Sequence, residues 1–302
     1  MLKNSFSSQA HSAVVRDDLT GDVVVVAPKR AHRPSHIRRI DPFSPAHLIM
    51  EHVIAAYGRG LHRMTVIENK FPVFDDVHGV RGHQEILVEG KKTQIENVLR
   101  AYAARAAALR KMKLIKGLVV FKNEGSTAGA SQTHAHSQIF GLSFIPDRWK
   151  EIHRRRCIAE RRHGMTSHAL AITEASSART IYADRHVTAF AHPAARFPYE
   201  VRILTRRKID NITQATPAEI TSLAKALHVC LGFVRKRKFT YNFFFHDVFA
   251  DTHEHFEIRF VPRTTIWGGF ELDTGIAVNP ITAEHAAEEY RTAFGKGTSE
   301  KR

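Results

Sequence analysis

Two stretches of the chain repeat the same order of hydrophobic and polar positions. Residues 82–89 (GHQEILVE) and 198–205 (PYEVRILT) alternate between apolar and polar side chains, which predicts a half-buried strand in each. Each stretch is followed by a segment whose apolar residues recur at intervals of three and four, as in an amphipathic helix. A second apolar strand follows each helix, at 117–123 (GLVVFKN) and 241–247 (YNFFFHD). The pattern therefore predicts a strand–helix–strand unit in each half.

The two predicted helices open with the same capping signal. Thr93 and Thr216 are each followed three residues later by a glutamate, Glu96 and Glu219, and Pro217 stands at the first position of the second helix. The predicted apolar faces are Ile95, Val98, Leu99, Tyr102, Ala106, Leu109 and Met112 in the first helix, and Ile220, Leu223, Leu227, Leu231 and Val234 in the second. We expect both helices to pack on a sheet through these faces.

A pair of His-x-His motifs completes the repeat. HAHSQIFGLSFIP, from His134, and HEHFEIRFVP, from His253, both read His-x-His-x-(Gln or Glu)-Ile before an apolar stretch that ends in proline. Strand, helix, strand and His-x-His strand thus occur twice in the same order, which indicates an internal duplication. We predict an α+β fold of two tandem units, residues 1–165 and 166–302, each an antiparallel sheet with packed helices.

Composition narrows the classes of function without choosing among them. Of the 302 residues, 43% are hydrophobic and 25% are charged, as in a globular protein. The net charge of +15 comes from dispersed lysines and arginines, without a basic tail or the aromatic–basic interleaving that stacks bases, and this argues against a nucleic-acid partner. The only cysteines, Cys157 and Cys230, support neither a disulfide framework nor a thiolate zinc site.

Membrane and export signals are also missing from the pattern. The apolar runs are all shorter than the roughly 20 residues that cross a bilayer. The first 18 residues lack the continuous apolar core of a secretory signal. We therefore expect a cytoplasmic protein with no membrane partner.

The candidate chemistry lies in residues 123–138, NEGSTAGASQTHAHSQ. Residues 125–131 are all Gly, Ser, Thr or Ala, so backbone N–H groups of this loop could approach an anion closely. In the strand that follows, residues two apart point to the same face, so His134, His136 and Gln138 would line one surface beside the loop. A phosphate held by the loop would therefore meet an imidazole nitrogen and an amide donor together.

A histidine is well suited to attack phosphorus, because neutral imidazole is nucleophilic near pH 7 and leaves readily once phosphorylated. Gln138 could donate to a nonbridging oxygen as the transferring group becomes trigonal-bipyramidal. A His-x-His pair can also be structural or bind a metal. A metal on His134 and His136 would need further ligands, and the loop offers only hydroxyls and Gln132. The small-residue loop and the glutamine favour the nucleophile.

These motifs resemble those of the galactose-1-phosphate uridylyltransferase family, the nucleotidyltransferase branch of the histidine-triad superfamily. Residues 17–34 (DDLTGDVVVVAPKRAHRP) are similar to the opening motif of the family, and 69–74 (NKFPVF) resemble its base-pocket segment. Residues 123–138 match its catalytic signature, while 268–280 (GGFELDTGIAVNP) resemble the second-half segment that helps to bind the hexose phosphate. The resemblance covers nearly the whole chain and implies two histidine-triad-like units, in agreement with the internal repeat.

The resemblance also implies roles for individual residues. His136 would be the nucleophile that carries a nucleoside monophosphate, and the backbone carbonyl of His134 would orient its ring. Gln138 and Ser131 would complete the catalytic set with these two histidines by holding phosphate oxygens. The implied substrate-binding residues are Asn123, Gly129, Arg30 and Arg33 for phosphate, Asn69 and Phe71 for the nucleoside, and Phe270 and Glu271 for the sugar. A structural alternative stays open for the flanking residues, since the phenylalanines could be core and the arginines surface charge.

The chain departs from the family at its first zinc site. Asp41-Pro42-Phe43-Ser44 stands where family members often carry a Cys-x-x-Cys pair, and a further histidine ligand is replaced within 90–94 (GKKTQ). Of that ligand set only His134 remains. We therefore predict that the protein has no metal cofactor.

A second family pair would fall at Cys157 and Glu160, and its partner histidine is replaced near Lys208. A residual metal at His246, His253 and His255, with Glu151, stays open as an alternative. The simpler interpretation is that these histidines are the decayed counterpart of the catalytic His-x-His strand.

The function predicted is an enzyme, a nucleotidyltransferase that moves a nucleoside monophosphate between a nucleotide sugar and a hexose 1-phosphate. The alternatives are an ADP-glucose or dinucleoside polyphosphate phosphorylase, a hydrolase, and a non-catalytic nucleic-acid-binding protein. HSQ rather than HGQ, together with residues 268–280, looks more like the ADP-glucose phosphorylase type. The base stays open, because Lys70 and Ala277 differ from the uridylyltransferase pattern. The family resemblance also allows a homodimer.

Overall fold

The structure, a computed structural model, describes residues 13–27, 30, 41–44, 47–48, 53–74, 82–249, 251 and 253–294. Its strands are β1 (Ala13–Arg16), β2 (Val23–Val26), β3 (Val53–Tyr57), β4 (Met64–Glu68), β5 (Gly82–Val88), β6 (Gly117–Glu124), β7 (His136–Leu142), β8 (Thr180–Ala183), β9 (Val187–Ala191), β10 (Val201–Thr205), β11 (Tyr241–Val248) and β12 (Glu257–Pro262). Its helices are α1 (Ile95–Leu109), α2 (Asp147–His163), α3 (Ser167–Thr173), α4 (Pro217–Arg237), α5 (Gly269–Thr274) and α6 (Ala283–Phe294).

Ten strands form one antiparallel sheet, in the order β3-β4-β5-β7-β6-β11-β12-β10-β9-β8. Read inward from either edge, the two halves have the same order: β3-β4-β5-β7-β6 from one side and β8-β9-β10-β12-β11 from the other. The halves meet where β6 pairs with β11, with Glu124 opposite Tyr241 and Gly117 opposite Val248. The predicted α+β fold of two tandem units is confirmed. The limits 1–165 and 166–302 stay a prediction, and they fall between α2 and α3.

Helices α1 and α4 pack against each other over one face of this sheet. Their predicted apolar faces are largely buried, with Leu99 and Tyr102 of α1 and Leu223 and Leu227 of α4 fully enclosed. Met112 is wrongly assigned to the first face: α1 ends at Leu109, and Met112 is 40% exposed. The main core therefore lies on the helix side of the sheet and leaves the other face for a site.

Only one of the two predicted capping boxes forms. In α4 the Thr216 hydroxyl accepts from the N–H of Glu219, whose carboxylate accepts from the N–H of Thr216. The box predicted at Thr93 is wrong, because α1 begins one residue later, with Gln94 at its N-cap. The carboxylate of Glu96 pairs with Arg100 instead, at 2.7 Å. Sequence spacing alone does not fix which residue begins a helix.

The strand predicted from His134 also begins later. β7 starts at His136, and the chain bends at residues 133–134. His134 therefore does not share a strand face with His136 and Gln138, and this part of the prediction is wrong. Among the described residues, no helix is long and apolar enough to cross a membrane.

Candidate active site

Strand β7 presents His136 and Gln138 on the face of the sheet that is turned away from α1 and α4. The intervening Ser137 and Ile139 point to the helices: the Ser137 hydroxyl bonds to that of Tyr102, and Ile139 is fully buried in the main core. Because side chains alternate along a strand, His136 and Gln138 emerge on the opposite side. Both are largely enclosed, with 5% and 7% of their surface exposed.

A small apolar cluster encloses His136. Val88 and Ile86 of β5 lie directly opposite His136 and Gln138 and belong to a cluster with Ile67 and Phe43. The Phe43 ring packs on the His136 imidazole with their centroids 5.1 Å apart. Such packing limits rotation of the imidazole and excludes water from one of its sides.

The protonation of the His136 ring follows from its backbone partner. Its Nδ1 lies 2.8 Å from the carbonyl oxygen of His134. A carbonyl only accepts, so Nδ1 carries the proton and donates it. The neutral ring then has its lone pair on Nε2. His136 is therefore arranged as a nucleophile at Nε2.

His134 is held through both ring nitrogens. Nδ1 lies 2.7 Å from Oδ2 of Asp41, and Nε2 lies 2.8 Å from the backbone oxygen of Glu89. Partial burial raises the pKa of Asp41, but hydrogen bonds from His134 and the Phe43 N–H and the charges of nearby imidazoles outweigh it, so the pKa is lowered. Both partners of the His134 ring are acceptors, and both contacts are hydrogen bonds when the two nitrogens carry protons.

This arrangement does not fit the zinc that the family resemblance implies. A metal needs a ring nitrogen with a free lone pair, and both nitrogens of His134 face hydrogen-bond acceptors. Ser44, at the position of the second cysteine, lies 2.6 Å from Nδ1 of His47 through its hydroxyl. Within the described ranges, no three His, Cys, Asp or Glu side chains are grouped so that they could hold a metal ion.

The three histidines of the alternative metal site face different partners. His246 stacks on Trp149 at 4.6 Å, while His253 bonds through Nδ1 to Glu160 at 2.7 Å. His255 lies with Nδ1 3.3 Å from the Ser167 hydroxyl. The structure thus gives each histidine its own local contact, and the prediction that no metal is bound stays a prediction.

The small-residue loop is a tight turn at the junction of the two halves, where β6 pairs with β11. Gly125 and Gly129 have φ of 85° and 80°, a region that favours glycine, on either side of a short 3-10 helix. The side-chain oxygen of Asn123 accepts from Nδ2 of Asn242 at 2.8 Å, and the same nitrogen donates to the carbonyl of Ala128. Sequence reasoning missed Asn242, which β11 places directly opposite Asn123.

The predicted nucleoside-binding residues come together on the same face of the sheet. Arg30 donates to the Phe71 carbonyl at 2.9 Å, and the side-chain oxygen of Asn69 accepts from the Phe71 N–H at 3.0 Å. Burial lowers the pKa of Arg30.

Gln84, also missed from the sequence, holds two backbone groups of residues 69–74 with its amide. Gln84 lies opposite Phe140 of β7, in line with His136 and Gln138, and so belongs to their face.

Two of the remaining predicted residues belong to the loop and one lies outside the described residues. Ser131 and Gly129 both stand in the small-residue loop before β7. Arg33 falls in a part of the chain that the structure does not describe.

Phe270 and Glu271 lie apart from this group, on α5. The segment around α5 contacts the β9–β10 connection: Arg196 donates to Gly275, and Trp267 stacks on Phe197 at 5.1 Å. β10 is four strands from β7 in the sheet, roughly 19 Å at the usual strand spacing. Glu271 accepts from the Gly268 N–H that begins its own helix, and Phe270 is 54% exposed.

A buried polar network supports β7 from the helix side. The Lys122 ammonium lies 2.6 Å from Oε1 of Glu89, and that oxygen is 3.4 Å from the Ser137 hydroxyl, which in turn bonds to Tyr102. Glu89 also donates its backbone N–H to the carbonyl of Ala135 at 3.0 Å. Glu89 therefore joins the helix-side network to the turn that carries His134.

Comparison with known proteins agrees with this geometry. The family model "Galactose-1-phosphate uridyl transferase, N-terminal domain" matches residues 81–146. The chain is 26% identical over 222 residues to galactose-1-phosphate uridylyltransferase from Thermotoga maritima, covering 66% of this chain and 67% of that protein. It is 26% identical over 211 residues to ADP-glucose phosphorylase from Arabidopsis thaliana, covering 65% of this chain and 58% of that protein.

Solved structures extend the likeness in fold to almost the entire chain. A uridylyltransferase mutant superimposes with a TM-score of 0.78 at 22% identity over 95% of this chain and 99% of its own. The Arabidopsis thaliana ADP-glucose phosphorylase gives 0.73 at 23% identity, over 93% and 98%. These comparisons confirm the resemblance that the motifs carry: the chain is related to the galactose-1-phosphate uridylyltransferase family, and its named relatives here are nucleotidyltransferases.

Proposed function

We propose that this protein transfers a nucleoside monophosphate from a nucleotide sugar to a phosphate acceptor, through a covalent bond at Nε2 of His136. The observation that carries the proposal is the 2.8 Å hydrogen bond from Nδ1 to the His134 carbonyl, which leaves the lone pair on Nε2. The glycine-containing turn of residues 125–129 precedes His136 by a few residues along the chain, and in this proposal the loop binds a phosphate of the substrate. The proposed nucleophile and the proposed phosphate-binding loop thus come from one short stretch of the chain.

The reaction has two balanced steps. In the first, the Nε2 lone pair forms a bond to the α-phosphorus as the bond to the departing sugar phosphate breaks, and the sugar phosphate leaves with that electron pair. In the second, a phosphate oxygen of the acceptor attacks the same phosphorus and the His136 imidazole leaves. Two displacements at one centre retain its configuration.

The remaining residues take supporting roles in this proposal. Gln138, Ser131, Asn123 and Gly129 surround the phosphate, where Gln138 donates to the charge that develops on its oxygens. Arg30 and Arg33 neutralise the phosphate charge, and Asn69 and Phe71 contact the nucleoside. Since Arg30 already bonds to the Phe71 carbonyl, the phosphate and nucleoside contacts are coupled through one side chain.

The substrate class follows from the named relatives. One relative is a galactose-1-phosphate uridylyltransferase and another an ADP-glucose phosphorylase, whose solved structure holds ADP-glucose. We propose a nucleotide sugar as donor and a hexose 1-phosphate as acceptor, in a cytoplasmic protein. A phosphorylase that uses inorganic phosphate is the second candidate, favoured by the glutamate and phenylalanine of residues 268–280 and by Ser137 in place of glycine.

A trapping experiment tests the central step. Protein is mixed with a nucleotide sugar labelled in its nucleotide, without acceptor, and the denatured chain is analysed by intact mass at neutral pH. We expect the mass of one nucleoside monophosphate on the wild type, its loss in acid, and its absence from His136→Ala. A label that persists in His136→Ala would exclude His136 as the nucleophile.

The trapped adduct also identifies donor and acceptor. A panel of UDP-glucose, ADP-glucose and GDP-linked sugars is compared by adduct mass, which identifies the base. The isolated adduct is then offered hexose 1-phosphate, inorganic phosphate or water, and the product formed fastest identifies the acceptor. Discharge by water alone would make the protein a hydrolase, while tight oligonucleotide binding without any adduct would favour the nucleic-acid alternative.

We also propose that the protein is a homodimer in which α5 of one copy faces the catalytic loop of the other. The segment 266–278 is unusually apolar for a surface, with Ile266, Leu272, Ile276 and Val278 all at least 60% exposed. Contiguous exposed apolar surface of this kind is typical of a protein interface. In such a dimer, Phe270 and Glu271 of one copy would contact the sugar bound to the other copy. Analytical ultracentrifugation tests the dimer by comparing the sedimentation of the wild type with that of Ile266→Lys.

A further inference from the structure

We infer that Asp41 is a positioning residue that holds His134 at the place where the family resemblance implies zinc, and through it fixes the proposed nucleophilic ring of His136. This inference rests on the proposed function for its catalytic consequence. Three short contacts carry it: His134 Nδ1 lies 2.7 Å from Asp41 Oδ2, His134 Nε2 lies 2.8 Å from the Glu89 backbone oxygen, and His136 Nδ1 donates to the His134 carbonyl at 2.8 Å.

The first step of the argument is that the His134 ring cannot turn freely. Its two nitrogens point in different directions, and each meets an acceptor on a different segment of the chain. Rotation about either side-chain bond would break at least one of these contacts. Because the ring is anchored at both ends, the backbone of His134 and its carbonyl oxygen are anchored as well, and this oxygen selects the protonated nitrogen of His136.

The second step is that Asp41 is itself well placed to serve as an anchor. Its Oδ1 accepts from the Phe43 N–H at 2.9 Å, while Oδ2 meets His134. Both carboxylate oxygens are therefore engaged. The same turn sets the Phe43 ring against His134 at 6.2 Å and His136 at 5.1 Å between centroids. One short segment thus contributes the carboxylate and a packing contact to both histidines.

The third step concerns the opposite anchor, which is also rigid. The backbone oxygen of Glu89 contacts Nε2 of His134, and the backbone N–H of Glu89 donates to the carbonyl of Ala135, the residue after His134. Its carboxylate is tied to the buried Lys122 ammonium at 2.6 Å. His134 is consequently held between two fixed groups.

The last step is the comparison with a metal site. A zinc ion would orient His134 by taking a nitrogen lone pair, whereas a carboxylate orients the same ring by accepting its N–H. Asp41 stands at the position of the first lost cysteine, and Ser44, three residues later at the position of the second, contacts His47. The Asp41 carboxylate alone therefore reproduces the orienting effect of the ion, and Ser44, at the position of the second cysteine, contacts His47 instead.

The test compares Asp41→Ala and the shape-preserving Asp41→Asn with Ser44→Ala as a matched control in the same segment. Two measurements are made on each folded variant, with folding checked by circular dichroism. One is the rate constant of adduct formation by rapid quench at saturating nucleotide sugar, with the dissociation constant of the sugar measured separately. The other is the ¹⁵N spectrum of the histidine rings above neutral pH, which identifies the protonated nitrogen of His136 without any substrate.

We expect Asp41→Ala to slow adduct formation by about 10- to 100-fold, and Asp41→Asn to slow it by less. Ser44→Ala should slow it by less than about twofold. The dissociation constant of the nucleotide sugar should be unchanged in all three variants. We also expect the wild type and Ser44→Ala to show His136 protonated at Nδ1, and Asp41→Ala to show a mixture of the two tautomers. A purely structural role for Asp41 would leave the tautomer unchanged.

Two results would overturn the inference. One is an Asp41→Ala variant whose tautomer and adduct rate match those of Ser44→Ala. The other is a wild type that, purified with zinc supplied, holds one zinc per chain and loses it in His134→Ala. If the wild type forms no adduct, the proposed function fails, yet the ring spectrum still decides whether Asp41 orients His136.

Discussion

The buried pair of Lys122 and Glu89 gives a direct test of how the turn that carries His134 is supported. Their charged atoms are 2.6 Å apart, and only 8% and 10% of the two side chains are exposed. Lys122→Met keeps most of the side-chain length and removes the charge. Glu89 would then be a buried carboxylate whose remaining contact, the Ser137 hydroxyl at 3.4 Å, is already shared with Tyr102.

The expected loss follows from the charge left behind. Removing one partner of a buried ion pair costs about 3–5 kcal/mol of unfolding free energy. Here a cleft of about 850 Å³ between α1 and α4 adjoins both residues and admits water to the carboxylate. We therefore expect the lower end, about 3 kcal/mol. Neutralising the partner as well, in Lys122→Met/Glu89→Gln, should recover most of this loss.

Urea unfolding followed by circular dichroism measures these differences. The single variant should unfold at a clearly lower urea concentration than the wild type, and the double variant should lie between the two. The reasoning would be refuted if Lys122→Met lost less than about 1 kcal/mol, or if the double variant were no more stable than the single one, since either result means that Glu89 is adequately solvated.

Two further predictions concern pH and helix capping. Burial, followed by the charge of Arg202, lowers the pKa of His192 to about 4. In the unfolded state the pKa of this histidine is about 6.5, so the unfolded chain binds more protons than the folded one between about pH 6.5 and pH 4. The unfolding free energy should therefore fall over this range as the pH is lowered, by at most roughly 3 kcal/mol. His192→Gln should flatten that part of the stability profile measured by urea unfolding, and an unchanged slope would contradict this. Thr216→Ala should cost about 1 kcal/mol through the lost cap of α4, whereas Thr93→Ala should cost distinctly less because Thr93 does not cap α1; equal losses would show that the two threonines act alike.

Local periodicity was sufficient to predict the repeated strand–helix–strand unit of each half. The strands at 82–88, 117–124 and 241–248, and the buried faces of the two long helices, follow from spacings of two and of three to four residues. Repetition of their order predicted the duplication, which the mirrored order of strands in the sheet confirms. Spacing wrongly predicted a capping box at Thr93. The helix begins one residue later than expected, and the Glu96 carboxylate pairs with Arg100 instead.

The motif was readable from sequence because it is contiguous, but its environment was not. His136, Gln138 and the small-residue loop are adjacent along the chain, so one stretch of sequence contains them. Asn242 is 119 residues from the Asn123 side chain that it holds, and no local pattern links the two. Gln84 and Lys122 read as ordinary polar positions of strands until the sheet places them beside the site.

The sequence by itself thus indicated the repeated elements, their order and a candidate nucleophile, because each depends on residues a few positions apart. Only the tertiary structure decided that His134 leaves the strand, that Asp41 and Glu89 contact its ring, and that the segment around Phe270 packs on the connection before β10, four strands from β7. Hydrogen bonds between distant segments depend on where chain reversals bring atoms within about 3 Å, and side-chain periodicity contains no information about that distance. The orientation of a catalytic ring is therefore a property of the fold, while its chemistry is a property of the residue.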